Sequence, residues 1–138
     1  MIVADTGAIV ALLDSSDRHH AAVVAYFDAT GADWLLPWAI LPEVDYLASK
    51  YCGSRTALAF AADVRDGHFR VDFAADKDLP RAVRLMEQYA DLGLGLVDAV
   101  VLAQAERHKA AVVVTLDRRH FSAVRLARPL RLMPEPPP

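Results

Sequence analysis

The chain has 138 residues, 54% of them hydrophobic and 24% charged, with a net charge of −3 and a single cysteine. This is the make-up of one compact domain that buries roughly two thirds of its unfolded surface, and it excludes disordered, collagen-like and disulfide-scaffold classes. Cys52 has no partner for an internal bridge and no CxxC or Cys/His ladder marks a structural zinc, so a reducing, cytoplasmic compartment is expected.

The opening MIVAD is a short apolar run closed by an acid, and TGAIVALL continues with helical spacing, predicting a buried strand that runs straight into a helix. That apolar stretch is broken at Asp5, ends at Asp14 and has no basic lead, so neither a secretion signal nor a membrane span is expected. A second amphipathic helix is predicted from His19 to Thr30, stopped by Gly31. WLLPW reads as a short strand or turn, and AILPEVDYLASKY as a helix that tolerates Pro42 only in its first turn. A helix from Ser54 to Asp66 halts at Gly67, and FRVDF then alternates as a strand. Helices are predicted from Asp78 to Asp91 and from Val97 to Lys109, with the loop LGLGL between them. AAVVVT is the strongest strand in the chain, LDRRHF is a polar turn after it, and a last short strand falls near Leu130 to Met133 before a Pro-rich tail at 134–138.

Strands alternate with helices throughout, and the best of them are apolar on both faces. The expected fold class is therefore α/β, a single-domain α/β/α sandwich around a mainly parallel sheet of four to five strands. Ligands of such sheets gather outside the carboxyl ends of the strands. Asp5 closes the first strand and Asp117 lies two residues beyond Thr115, so both are expected on that edge. Asp98 opens its helix, and Glu43 sits among Ile40, Leu41, Val44 and Leu47. No Lys or Arg is adjacent to Asp5, Glu43 or Asp98. Carboxylates in apolar company need a partner, and for four converging acids the natural one is a hard divalent cation such as Mg²⁺. Taken singly, each acid also has an ordinary reading as a helix cap, a first-turn residue or a surface group.

Charge is unevenly spread. From Gln104 onward the bases Arg107, Lys109, Arg118, Arg119, Arg125, Arg128 and Arg131 face only Glu106, Asp117 and Glu135, so an acidic body carries a basic C-terminal quarter suited to meeting phosphates or, more plainly, water.

The segments VADTGAIVALL, LPWAILPEVDYL, LGLVDAVVLAQAERH and VVVTLDRRHF, in this order and near this spacing, resemble those of PIN-domain ribonucleases, in particular the VapC toxins of bacterial toxin–antitoxin pairs. The resemblance covers the chain from Met1 to about Met133 and implies a PIN-like nuclease domain over 1–133. It places the family's acidic quartet on Asp5, Glu43, Asp98 and Asp117, with the Thr6 and Thr115 hydroxyls beside the first and last. One departure is Lys109-Ala110, where relatives commonly have Gly before the strand. The implied activity is hydrolysis of RNA phosphodiester bonds with Mg²⁺, or Mn²⁺ in its place, held chiefly by Asp5 and Asp98, with Glu43 and Asp117 direct or through water. Implied partners are the RNA substrate, a small cognate antitoxin protein and a second copy in a homodimer.

Arg118, Arg119 and His120 follow Asp117 and are candidates for gripping phosphates, as are Thr6 and Thr115 for touching substrate. Asp45 and Asp91 are second-tier candidates that read first as surface acids, Trp34 and Trp38 read as core or dimer packing residues with base stacking the alternative, and Cys52 reads as a small core residue. The rival readings are a phospho-acceptor receiver-like signalling module, also a parallel α/β sheet with acids around Mg²⁺, and a PIN fold that binds RNA or protein without cleaving. A P-loop is excluded by the absence of GxxxxGK[ST], and an Asp-x-Asp phosphatase by Asp5-Thr6-Gly7.

Overall fold

The computed structural model describes residues 1–136; the last two residues of the Pro-rich tail lie outside the described residues. Five strands form one sheet: β1 (Ile2–Ala4), β2 (Trp34–Pro37), β3 (Arg70–Asp72), β4 (Val112–Val114) and β5 (Arg131–Met133). They are ordered β3-β2-β1-β4-β5 and every pairing is parallel, with Ile2 opposite both Trp34 and Val112. The central strands are apolar at every position because helices cover both faces. Val3, Ala4, Leu36, Val113 and Val114 are fully enclosed.

Seven helices fill the connections: α1 (Thr6–Leu13), α2 (His20–Thr30), α3 (Ile40–Cys52), α4 (Ser54–Arg65), α5 (Asp78–Gln88), α6 (Leu96–Arg107) and α7 (Arg118–Ala123). From β1 the chain steps through β2 to β3, then crosses back to β4 and on to β5. Right-handed crossovers therefore put α1 to α4 on one face and α5 to α7 on the other. The direction of winding reverses between β1 and β4, which are hydrogen-bonded neighbours. A crevice opens at the carboxyl ends of strands at such a reversal.

Local sequence explains the details. Pro42 is the third residue of α3, where its missing N–H costs no helical bond. The helix expected to reach Asp91 ends at Gln88 and continues as a 3-10 turn over Ala90–Leu92, closed by Gly93 at φ 72°. Trp34 is buried and its Nε1 donates to Thr30 Oγ1 at 2.9 Å. Trp38 is outside the core, about half exposed, and lies against Phe73 with ring centroids 5.1 Å apart. No helix among the described residues is long and apolar enough to cross a membrane.

Candidate active site

The four acids meet at the reversal point. Asp5, Glu43, Asp98 and Asp117 line one open cleft of about 490 Å³ with Thr6, Gly7, Leu47 and Leu116, and no Lys or Arg is among its lining residues. Each acid comes from a different connection. Asp5 leaves β1 and caps α1; Glu43 stands in the first turn of α3 after β2; Asp98 stands in the first turn of α6; Asp117 follows β4 and caps α7. Placement of carboxylates at helix starts is locally favourable, which offsets part of the repulsion between them.

Asp5 is the best-held of the four. Its Oδ1 accepts from the Thr6 backbone N–H at 2.7 Å and its Oδ2 from the Thr115 hydroxyl at 2.9 Å. Thr115 in turn accepts from the Asp117 backbone N–H at 3.0 Å, so one hydroxyl ties the acid after β1 to the turn after β4. Asp5 is only 5% exposed, and burial, helped by the charges of Asp98 and Glu43, pushes its carboxyl up to about 6 against the hydrogen bonds from Thr115 and Thr6. Asp98 is half-buried and also raised, first by desolvation and then by Asp117 and Glu43, with His120 opposing. Glu43 is exposed on the rim, not enclosed by the apolar neighbours that surround it in sequence.

Other residues fall elsewhere. Thr6 lines the cleft, is 4% exposed, and its Oγ1 has no hydrogen-bond partner. Thr115, expected beside substrate, is buried behind the cleft with its hydroxyl spent on Asp5. Arg118, expected on phosphates, donates to the Leu132 carbonyl of β5 at 3.2 and 3.3 Å. Arg119 is exposed and lies outside the residues lining the cleft. Asp45 and Asp91 are exposed and do not line it either. His120 joins the acids: its Nδ1 donates to Asp117 at 2.8 Å, and Asp98, Asp117 and His120 each present a ligand atom within 4.8 Å of the others. Its position three residues after Asp117, on the first turn of α7, is the signal that would have grouped it with the acids rather than with the arginines.

Crowded, raised carboxylates with an unpartnered buried hydroxyl beside them form an oxygen-rich set that a hard divalent cation would relieve, so the residues present fit such an ion.

The PIN domain family profile matches residues 2–126. Ribonuclease VapC26 of Mycobacterium tuberculosis is 30% identical over 124 residues, which span 90% of this chain and 92% of that protein. Among solved structures, Mycobacterium tuberculosis VapC20, a sarcin-ricin loop cleaving toxin, superposes with a TM-score of 0.75 at 21% identity, covering 94% of this chain and all of that one. A DNA-bound VapBC from Salmonella typhimurium gives 0.70 at 19% identity over 95% of each chain. The receiver-like alternative falls with these matches, and also with the sheet, since receiver modules run 2-1-3-4-5 and this one runs 3-2-1-4-5. The profile match over most of the chain, the near-full-length relative and the acids gathered at the winding reversal agree: the chain belongs to the PIN-domain family, as a ribonuclease of the VapC type.

Proposed function

We propose that this protein is an Mg²⁺-dependent endoribonuclease that hydrolyses phosphodiester bonds of cellular RNA in the cytoplasm, and that it acts as the toxin of a toxin–antitoxin pair. The observation that carries the reading is the convergence of Asp5, Glu43, Asp98 and Asp117 in a cleft lined by no base. Asp5 and Asp98 are the principal metal ligands, and Glu43 and Asp117 complete the set directly or through water. Bound there, Mg²⁺, or Mn²⁺ in its place, would neutralise phosphoryl charge and activate water.

The chain's own residues prepare that step. Thr115 and the Thr6 N–H fix the Asp5 carboxylate in one orientation. His120 holds Asp117 through its Nδ1, and Glu43 on the rim orients an attacking water. Thr6 lines the cleft, and its buried hydroxyl has no hydrogen-bond partner among the described residues. Arg119 is the exposed base available to a phosphate near the cleft.

A cleft with four acids and no base invites a basic inhibitor, so the partner antitoxin is read as presenting an arginine that pairs with the carboxylates and displaces the metal. A homodimer is part of the same reading. The test incubates purified protein with total RNA and Mg²⁺, with and without excess EDTA, followed by sequencing of the new RNA ends. Discrete cleavage that EDTA abolishes is the expected result; full cleavage in EDTA overturns the mechanism.

A further inference from the structure

A second concavity is larger than the acidic cleft. It is a groove of about 700 Å³ between α7, the loop 124–130 and β5, and it is lined by Arg118, Arg125, Arg128 and Arg131 against a single acid, Glu135. Four arginines around one groove stand out in a chain whose net charge is −3. Arg131 is partly engaged by Glu135 at 3.0 Å, a pair in which both side chains are mostly exposed and so weakly coupled. Arg118 is anchored on the Leu132 carbonyl. Among the described residues the guanidinium groups of Arg125 and Arg128 have neither a carboxylate nor a carbonyl partner, and both residues are exposed.

The loop that carries them is irregular but tied down. The Arg125 backbone N–H donates to the Tyr89 hydroxyl at 2.7 Å, and the Ala127 N–H donates to Glu106 at 3.1 Å. Glu106 is itself held by a bidentate pair with Arg81 at 2.7 and 3.2 Å. The positions of Arg125 and Arg128 are thus fixed through the backbone, and their cationic ends are left unspent. A surface whose backbone is ordered before binding loses less entropy when it engages a polyanion, and free guanidinium groups suit phosphate oxygens.

Location gives the groove its occupant. Asp117 caps α7 and lines the acidic cleft, whereas Arg118 and Phe121 of the same helix line the groove. The two concavities therefore adjoin across a helix of six residues, roughly 9 Å long at the usual rise. We propose that the groove is a docking surface for the sugar-phosphate backbone of the RNA whose scissile bond lies in the acidic cleft, engaging phosphates a few nucleotides from the cut. This rests on the ribonuclease reading. It assigns the repelling and attracting parts of RNA binding to different sites: the cleft carries the acids the metal needs, and the groove supplies the charge that holds the strand beside them.

The experiment measures binding apart from cleavage. Affinity for a fluorescent 20-nucleotide poly(U) RNA is followed by anisotropy in EDTA across a salt series for the parent, for Arg125→Gln/Arg128→Gln/Arg131→Gln, and for a control triple of equal charge, Arg18→Gln/Lys50→Gln/Arg55→Gln. The groove triple should bind about tenfold or more weakly at 50 mM salt and lose about 2 from its log–log salt slope, as expected when three single-strand phosphate contacts disappear. The control should retain parental affinity and slope within about twofold. With Mg²⁺ present, the groove triple should cut a dinucleotide, whose one phosphate is the scissile one, at the parental rate and a long RNA more slowly. Unchanged binding by the groove triple, or equal losses in both triples, overturns the proposal. So does retained RNA binding coupled with lost binding of fluorescent poly-glutamate, which would make the groove a seat for an acidic protein segment. A parent that binds poly(U) through the groove but cuts no RNA would overturn the nuclease reading and leave the docking surface standing.

Discussion

Two clusters of carboxylates among the described residues are opposites. In the cleft, Asp5 and Asp98 are raised because burial and neighbouring acids disfavour their charged forms, and no base lines the site. Elsewhere, Asp72 at the end of β3 and Asp78 at the start of α5 meet Arg107 and His108 at the end of α6. Arg107 donates to Asp78 at 2.7 and 2.9 Å and also to Asp72; His108 Nε2 donates to Asp72 at 2.6 Å; Gln104 Nε2 reaches Asp78 at 3.3 Å. Burial alone would raise both acids, yet the hydrogen bonds from His108 to Asp72 and from Arg107 to Asp78, with the guanidinium charge, hold them below the ordinary value. One cluster is satisfied and serves the fold, pinning a strand end to two helices. The other is left unsatisfied, and a protein retains such strain where a ligand will relieve it.

The largest effect should come from removing one charge from the unsatisfied cluster. Asp98→Asn preserves shape, so RNA cleavage should fall at least about a hundredfold while the metal-free melting temperature stays level or rises because repulsion is relieved. A variant that melts like its parent and cuts RNA at the parental rate would reduce Asp98 to a first-turn helix residue.

The satisfied cluster should answer in the opposite currency, stability. Arg107→Met strands two carboxylates, with Asp78 only 3% exposed. Breaking a buried pair from one side costs about 3–5 kcal/mol, and partial exposure of Asp72 and Arg107 places the expected loss near the lower figure. Urea unfolding at pH 7 measures it; a change under about 1 kcal/mol would show that the pairing contributes little.

Titration separates the clusters by sign. Asp5 keeps its proton to about pH 6 in the folded chain and to 3.8 in the unfolded one, so the stability tied to its protonated form is complete below about 3.8 and gone above about 6. Asp72 and Asp78 behave conversely: their contribution is complete above 3.8 and is lost as pH falls through their lowered folded values. Metal-free stability should therefore decline between pH 4 and pH 6, by about 3 kcal/mol at most for a shift of this size, and Asp5→Asn should flatten that decline. Added Mg²⁺ should reverse it above pH 6, where Asp5 is ionised and able to bind. A parental profile already flat between pH 4 and pH 6 would contradict the raised Asp5.

The difference between the clusters also explains what the sequence made legible. Strands β1 and β4 are apolar at every position, and an acid at the end of each is visible as a local event; the parallel sheet, its carboxyl edge and Asp5 and Asp117 follow. The Arg107 cluster joins residues 29 and 35 positions apart, none in a recognisable spacing, and only the packing of α5 and α6 brings them together. Glu43 was surrounded by apolar neighbours in sequence yet is exposed, because the helix turns it to the rim. Likewise Thr115 and Arg118 are close to the acids along the chain, but the parallel pairing of β4 with β5 turns the turn after β4 so that one hydroxyl faces Asp5 and the guanidinium faces Leu132.

The smallest effect concerns a second contrast, between the ends of α4 and α6. Both close with the same pair of backbone bonds: Gly67 N–H to Val64 O with His68 N–H to Asp63 O, and Lys109 N–H to Glu106 O with Ala110 N–H to Ala105 O. Both turns need a left-handed residue, Gly67 at φ 82° and Lys109 at φ 54°. Only α4 uses glycine; α6 has Lys109 there. A side chain in this region costs about 1 kcal/mol, whereas glycine costs about 0.5–1 kcal/mol through the freedom of the unfolded chain. Lys109 also gains a few tenths of a kcal/mol from the negative end of α6. These terms nearly cancel, so Lys109→Gly should shift stability by no more than about 0.5 kcal/mol. Gly67→Ala has no such compensation: a Cβ there meets no atom within 4 Å, so its cost is conformational alone, about 1 kcal/mol. Paired urea midpoints decide it, and a Lys109→Gly gain above about 1.5 kcal/mol would mean that the turn leading into β4 is more strained than its dihedral angle indicates.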